Sequence, residues 1–126
     1  MKPKIDLALR ILTGLILVIF GANKFLQFMP PPPDMTPEMV TGFTSLMGLK
    51  FIMPTVAIVE ILVGASLLSN LFTRLTLVML VPISYSIVAF HLAFDPAGIG
   101  PAAFIAILNA YLLLQQKAAF KEVLSK

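Results

Sequence analysis

The polar residues that interrupt the apolar segments of this sequence are where chemistry could occur. Glu60 lies near the middle of one apolar segment, and Arg10 and Lys24 lie toward the two ends of another. An unpaired charge at such a depth in hydrocarbon costs about 2.5–3.5 kcal/mol on insertion scales, so Glu60 needs a basic partner or a proton. Lys24 and Arg10 are the candidate ion-pair partners, and Asn109 is a candidate hydrogen-bond partner. Such a pair is either a structural lock between helices or part of a site that handles a proton or a ligand, and the sequence leaves both interpretations open.

His91 and Asp95 are four residues apart in the sequence. This spacing places the two side chains one helical turn apart, where they can form a hydrogen-bonded pair. The alternative is that His91 is an interfacial residue at the end of a membrane span. The sequence has one histidine and no cysteine, so the usual ligands of a zinc or haem site are not available. We therefore predict no metal site.

The composition indicates whether this chain folds in water or in a lipid bilayer. Of its 126 residues, 59% are hydrophobic and 12% are charged, and the mean hydropathy is +0.98. A typical soluble domain has about 45–50% apolar and about 25% charged residues. The net charge of +3 comes from Lys and Arg residues at the ends of apolar segments rather than in one patch. We therefore predict that the partner of these basic residues is the lipid bilayer and not a nucleic acid.

Four apolar segments approach the length of about 20 residues that a membrane span needs. They cover residues 5–28, 51–69, 75–94 and 102–117. The first follows Lys2 and Lys4 and so also resembles the start of a signal peptide, but no small-residue cleavage site follows it, and further spans do. The sequence therefore predicts an all-α fold, a four-helix transmembrane bundle that occupies residues 1–126 as a single domain.

The longest connection joins the first and second spans and begins with four prolines at positions 30–33, which predict an extended segment. Thr36, Pro37 and Glu38 then have the pattern of a helix N-terminus, with an N-cap, a first-turn proline and a first-turn carboxylate. Apolar residues follow at helical spacing as far as Met47. We predict a short amphipathic helix at the membrane interface.

Each predicted span carries one stripe of small or polar residues on a projection of about 100° per residue. The stripes are Arg10, Gly14, Leu17, Gly21 and Lys24 on the first span; Ala57, Glu60 and Gly64 on the second; Ser84, His91 and Asp95 on the third; and Ala102, Ala106, Asn109 and Gln116 on the fourth. Small residues allow helices to approach closely, and charged residues avoid lipid by facing the bundle interior. We therefore expect the four stripes to face one another.

Two passages of the sequence resemble the DoxX family of bacterial membrane proteins. They are RILTGLILVIFGANKF in the first span and EILVGASLLSNLFTRLTLVML across the second and third spans. The residues that carry the resemblance are Arg10, Gly14, Gly21, Asn23, Lys24, Glu60, Gly64, Phe72, Thr73, Arg74, His91 and the stretch from Asn109 to Leu114. The resemblance implies a four-helix membrane protein, and some relatives are linked to thiosulfate:quinone oxidoreductase or to oxidant-resistance complexes. Related membrane proteins that support disulfide formation use cysteines, which this chain lacks.

Together, the residues and the resemblance give a hypothesis for function. The chain would support a redox or quinone-linked process through a polar site within the bundle, with a quinone as the suggested cofactor. The residues of this polar site would be Arg10, Asn23, Lys24, Glu60, His91, Asp95 and Asn109. The alternative is a non-enzymatic accessory subunit of a larger membrane complex, which makes a membrane protein or a second copy of the chain the expected protein partner. A small transporter or channel is a weaker third interpretation, because four spans leave little room for an aqueous path.

The distribution of charge predicts the orientation in the bacterial inner membrane. With both termini in the cytoplasm, the inner side holds Lys2, Lys4, Arg10, Arg74, Lys117, Lys121 and Lys126, and the outer side holds Lys24 and Lys50. Because positive residues concentrate on the cytoplasmic side, both termini are expected there.

Reporter fusions test this topology. A reporter joined after Lys126 should be active on the cytoplasmic side, and one inserted between residues 34 and 50 should be active on the outer side. A C-terminal reporter on the outer side would show that the orientation is inverted.

Overall fold

The computed structural model describes residues 2–30 and 34–126, and these are helical with no strand among them. Its helices are α1 (Lys2–Leu26), α2 (Pro37–Gly48), α3 (Ile52–Ser69), α4 (Thr73–Phe94), α5 (Ile99–Gln115) and α6 (Lys121–Leu124), with 3₁₀ turns at Pro96–Gly98 and Lys117–Phe120. Four helical segments within the described residues are long and apolar enough to cross a membrane: Pro3–Leu26, Ile52–Ser69, Thr73–Phe94 and Pro96–Gln115. The all-helical fold with four membrane-length helices is therefore confirmed.

The helix boundaries differ from the predicted ones by a few residues. The first span ends at Leu26 because Gln27 adopts a left-handed conformation, with φ at 51°. The last span begins at Ile99 rather than at residue 102, since Pro101 fits within the first turn, where backbone N–H groups have no partner within the helix. Of the predicted proline connector, residues 31–33 lie outside the described residues.

The four long helices form a closed ring in which α1 packs against α3, α3 against α4, α4 against α5, and α5 against α1. The buried core at the centre of this ring is aliphatic. It consists of Leu17, Val63, Leu67, Leu77, Leu80, Ile105 and Leu112. The outward faces are also apolar, with exposed residues such as Leu12, Ile19, Ile58, Leu62, Val78, Leu92, Ile107 and Leu114. Such faces imply contact with the hydrocarbon of a bilayer.

The backbones of α1 and α3 approach each other closely at glycines. A Cβ atom placed on Gly64 would lie 2.7 Å from the carbonyl oxygen of Gly14, and one placed on Gly21 would lie 3.0 Å from the carbonyl oxygen of Ala57. Neither distance leaves room for a side chain. Because water is absent from the bilayer core, close van der Waals packing of this kind is a main source of helix association there.

Helix α2 lies against the ends of α3 and α4 that are near the 3₁₀ turn Pro96–Gly98. Its N-cap is Thr36, whose hydroxyl oxygen accepts a hydrogen bond of 3.2 Å from the Met39 N–H. Gly42 is buried against Phe94, and the ring of Phe43 lies 5.1 Å from that of Phe90. One side of α2 thus covers the bundle, while its other side is exposed.

Substituting Gly64 tests the close approach of α1 and α3. Gly64→Ala would bring a methyl group into the backbone of α1, and overpacking of this kind costs about 1–3 kcal/mol. That cost exceeds the gain of up to about 1 kcal/mol in helix propensity on replacing glycine with alanine, so the free energy of unfolding in detergent should fall.

Gly100→Ala is the matched control, because a Cβ at Gly100 meets nothing within 4 Å and Gly100 also lies in a helix. Its stability should equal or slightly exceed that of the wild type. Equal effects of the two substitutions would contradict the packing argument.

Candidate functional site

Lys24 and Glu60 form an ion pair between α1 and α3. The ammonium nitrogen of Lys24 lies 2.9 Å from Oε2 and 3.1 Å from Oε1 of Glu60. The side chain of Glu60 is 1% exposed and that of Lys24 is 21% exposed. Gly21 lies one turn before Lys24 and packs against the Cβ of Glu60, which brings the two helices close enough for this contact. Of the two candidate bases, Lys24 is the one that neutralises Glu60.

Arg10 lies at the other end of the bundle and does not contact Glu60. Its guanidinium donates a hydrogen bond to the carbonyl oxygen of Leu67, in the last turn of α3. Carbonyls in the last turn of a helix lack a partner within the helix, and a positive charge near that end is favourable. Arg10 and Lys24 are about 21 Å apart along α1, from a rise of about 1.5 Å per residue. Arg10 therefore belongs to a separate part of the molecule.

Asn109 joins α5 to α4 rather than bonding to Glu60. Its Nδ2 donates to the carbonyl oxygen of Leu77 at 3.0 Å, and its Oδ1 accepts from the hydroxyl of Ser84 at 3.2 Å. Asn109 and Ser84 are both buried. The prediction that Asn109 is a hydrogen-bond partner of Glu60 is therefore wrong, because Asn109 faces α4 whereas Glu60 faces α1.

Asn23 stabilises the turn that follows α1 rather than forming part of an interior site. Its side-chain Oδ1 accepts a hydrogen bond of 2.8 Å from the Met29 N–H, and its backbone oxygen accepts one of 2.7 Å from the Gln27 N–H. Both bonds close the turn that follows the helix. Asn23 thus stabilises the turn after α1, whereas the neighbouring Lys24 forms the ion pair with Glu60.

His91 and Asp95 are paired, as their spacing allows. Nδ1 of His91 lies 3.2 Å from Oδ2 of Asp95, and the side chains are 22% and 8% exposed. The other carboxylate oxygen of Asp95 accepts a hydrogen bond of 3.2 Å from the Gly98 N–H, which caps the 3₁₀ turn. Asp95 therefore fixes the orientation of the imidazole and holds its Nδ1, so the second ring nitrogen, Nε2, is the one that points away from Asp95.

A cavity of about 500 Å³ brings part of the predicted site together. Lys24, Glu60 and His91 line it, whereas Arg10, Asn23, Asp95 and Asn109 do not. Its other lining residues are Ile16, Leu17, Phe20, Phe43, Leu46, Ile52, Met53, Val56, Ile83, Ser86, Ile87, Phe90, Pro101, Ala102 and Ile105. The cavity thus has a few polar groups on otherwise apolar walls, which is the usual character of a site for a small amphipathic molecule.

Sequence reasoning missed Ser86 and the contribution of α2 to this cavity. Ser86 has the polar type that could have drawn attention, but it lies outside the stripe that contains Ser84 and His91. Phe43 and Leu46 come from α2, which was expected to lie at the interface. No local pattern in the sequence of α2 indicates that this helix lines a cavity together with α1, α3, α4 and α5.

The described residues hold no group of three or more His, Asp or Glu side chains arranged to bind a metal ion. The titratable side chains that line the cavity, Lys24, Glu60 and His91, can form hydrogen bonds and transfer protons. Lys24 has three N–H donors, and it makes two contacts to Glu60. The imidazole of His91 can form a further hydrogen bond through Nε2.

A double-mutant cycle measures the ion pair. Lys24→Met should lower the free energy of unfolding by about 3–5 kcal/mol, because it leaves the buried carboxylate of Glu60 without its counter-charge. Glu60→Gln should lower it by less, because the Lys24 side chain that it leaves unpaired is 21% exposed. The double variant should be more stable than the sum of the two losses predicts.

Glu38→Gln is the control, since Glu38 is an exposed acid in the first turn of α2. Its effect should stay below about 1 kcal/mol. Strict additivity of the Glu60 and Lys24 substitutions would show that the contact contributes no coupling energy.

Comparison with known proteins places the chain in a family. The family model described as DoxX matches residues 5–92, which run from the start of α1 almost to the end of α4. This match includes all three charged or titratable residues of the cavity, Lys24, Glu60 and His91. The searches of curated proteins and of solved structures found no match. Because the match covers most of the chain and the fold has four membrane-length helices, the chain belongs to the DoxX family.

Proposed function

We propose that this membrane protein binds a small quinone-type ligand in the cavity lined by Lys24, Glu60 and His91, and that it supports a redox or quinone-linked process in the bacterial inner membrane. The observation that carries the proposal is that these three residues line one apolar cavity. Structural locks between helices need no space beside them, whereas this ion pair has a cavity of about 500 Å³ next to it.

The walls of the cavity fit a flat ring with an apolar tail. Phe20, Phe43 and Phe90 provide aromatic surface, and the volume falls in the range of about 300–1,000 Å³ that is usual for small-molecule sites. Lys24 and the Nε2 atom of His91 are suitable donors to a carbonyl oxygen. When bound, a quinone supplies the capacity to take up electrons and protons.

The residues of the chain would bind and orient the ligand and handle protons. Asp95 holds Nδ1 of His91 and so directs Nε2 away from itself. Lys24 would present its remaining N–H to the cavity while keeping Glu60 neutralised. Glu60 is the carboxylate nearest to this donor and is therefore our candidate for exchanging a proton with the ligand.

Electrons would have to come from a partner. The sequence has no cysteine to form a dithiol couple, so the proposal assigns the electron donor to another membrane protein or complex. Because a partner is required, we also consider a second function, in which the protein is a non-enzymatic accessory subunit of a larger membrane complex. The observation in its favour is the ion pair itself, because Lys24 and Glu60 satisfy each other and would hold α1 to α3 without any ligand.

The proposed orientation has both termini in the cytoplasm, which places the cavity in the outer half of the membrane. Helix α2 would then lie at the outer interface. Its exposed apolar residues Val40 and Met47 would enter the bilayer, while Phe43 faces the cavity.

Filling the cavity tests ligand binding. Val56 lines the cavity one turn before Glu60, so Val56→Trp would occupy ligand space without removing a polar group. Binding of a short-chain benzoquinone to the purified protein, measured by equilibrium dialysis, should weaken by about tenfold or more, the equivalent of about 1.4 kcal/mol.

Val78→Trp is the matched control, because Val78 is exposed on the outer face of α4. It should leave the dissociation constant unchanged. Wild-type protein that binds no quinone, and that instead copurifies stoichiometrically with a larger membrane protein, would favour the accessory function.

A further inference from the structure

A second cavity, of about 700 Å³, lies at the opposite end of the bundle from the first. It is lined by the beginning of α1, the turn between α3 and α4 with the start of α4, and the end of α5. Its charged and polar walls include Asp6, Arg10, Arg74, Gln115 and Gln116. The first cavity has one ion pair in an apolar setting, whereas this one has two guanidinium groups.

The register of α1 against α3 gives the depth of this second cavity. Gly14 packs against Gly64 and Leu68, and Gly21 packs against Ala57, so Arg10 is level with the end of α3. The residues of α1 before Arg10 therefore extend roughly 12 Å beyond α3, at about 1.5 Å per residue. Because α3 itself is about 27 Å long, close to the hydrocarbon thickness of about 30 Å, its end marks the edge of the hydrocarbon. The cavity thus lies at the level of the lipid head groups.

The charge of the cavity is positive. Arg74 is held by a hydrogen bond of 3.0 Å from its Nε to Oε1 of Gln116, which leaves its two terminal nitrogens as donors. Arg10 uses one of its terminal nitrogens on Leu67 and has further donors. Asp6 is the one acid among the described lining residues, and its Oδ1 accepts a hydrogen bond of 2.8 Å from the hydroxyl of Tyr111.

We propose that this cavity binds the phosphate group of an anionic phospholipid. Guanidinium groups match the geometry of phosphate oxygens and are less strongly hydrated than ammonium groups, so two arginines at one cavity favour a phosphate. The residues at the outer rim of the cavity favour a lipid over a soluble anion. Leu7, Phe72 and Leu75 line the cavity and are 47%, 77% and 58% exposed. These apolar side chains continue onto the lipid-facing surface, where acyl chains can follow them.

The lipid site is independent of the quinone proposal, because the two cavities share no lining residue. The structural alternative is that Arg10 serves only as a cap for α3 and Arg74 only as a link to α5. If the cavity binds a lipid, the positive charge of Arg74 must also contribute to the affinity of the folded protein for that lipid.

The test uses Arg74→Gln in the purified full-length protein. Native mass spectrometry with phosphatidylglycerol should show binding weakened by about tenfold, as expected for losing a hydrogen bond between charged groups. Phosphatidylglycerol should also raise the melting temperature of the wild type more than phosphatidylcholine does, and Arg74→Gln should remove that difference.

A matched charge variant and a second ligand separate the explanations. Lys117→Gln removes a positive charge at the same end of the bundle but outside the cavity, and it should leave lipid affinity unchanged. Equal losses with Arg74→Gln and Lys117→Gln would reduce the effect to general surface charge and overturn the proposal. Stabilisation by inorganic phosphate equal to that by phosphatidylglycerol would also overturn it, in favour of a soluble anion.

Discussion

Helices α1 and α3 lie so close together that the carbonyl oxygen of Gly14 would be 2.7 Å from a Cβ placed on Gly64. Gly14, Gly21 and Gly64 remove the side chains that would separate the two backbones. At this distance the ammonium of Lys24 lies within hydrogen-bond reach of both oxygens of a carboxylate that is 1% exposed. A larger residue at Gly21 would move α1 away from the Cβ of Glu60 and would leave a charge in hydrocarbon without its partner, at a cost of several kcal/mol.

Two basic residues of α1, Arg10 and Lys24, also fix its register against α3. Lys24 bonds to Glu60 in the middle of α3, and Arg10 bonds to Leu67 in its last turn. Sliding α1 by one helical turn of about 5.4 Å would break both contacts at once. Aliphatic packing alone would penalise such a slip less, because neighbouring Leu, Ile and Val residues can replace one another in a lipid-facing helix pair. Charge and glycine thus specify one arrangement where hydrophobicity alone would allow several.

The sequence was sufficient to predict the four spans, the N-cap of α2 and the buried stripe of α3, because each depends on local composition or on helical periodicity. It was also sufficient to name Lys24 as a partner of Glu60, but not to prefer it over Arg10, because depth along a helix does not give the register between two helices. Asn109 shows a second limit. Its depth in the span was predictable from the sequence, but its partners, Leu77 and Ser84, depend on the rotation of α5 about its axis, which the sequence of α5 alone does not give. The cavity shows a third limit of the sequence. Five helices line it, so the pattern of no single helix predicts it.

The contact between Lys24 and Glu60 explains how an apolar cavity can lie beside a basic and an acidic side chain. Each charge alone would favour water or a counter-ion in the cavity, whereas the pair presents only a dipole. His91 is oriented in a similar way, because Asp95 holds one ring nitrogen and directs the other. The residues that create this balance lie within the part of the chain that matches the DoxX family, except for Asp95, which follows that part by three residues. The wall formed by Pro101, Ala102 and Ile105 lies outside it and is apolar. The charged and titratable side chains of the cavity thus come from α1, α3 and α4, whereas α2 and α5 contribute only apolar side chains to its lining.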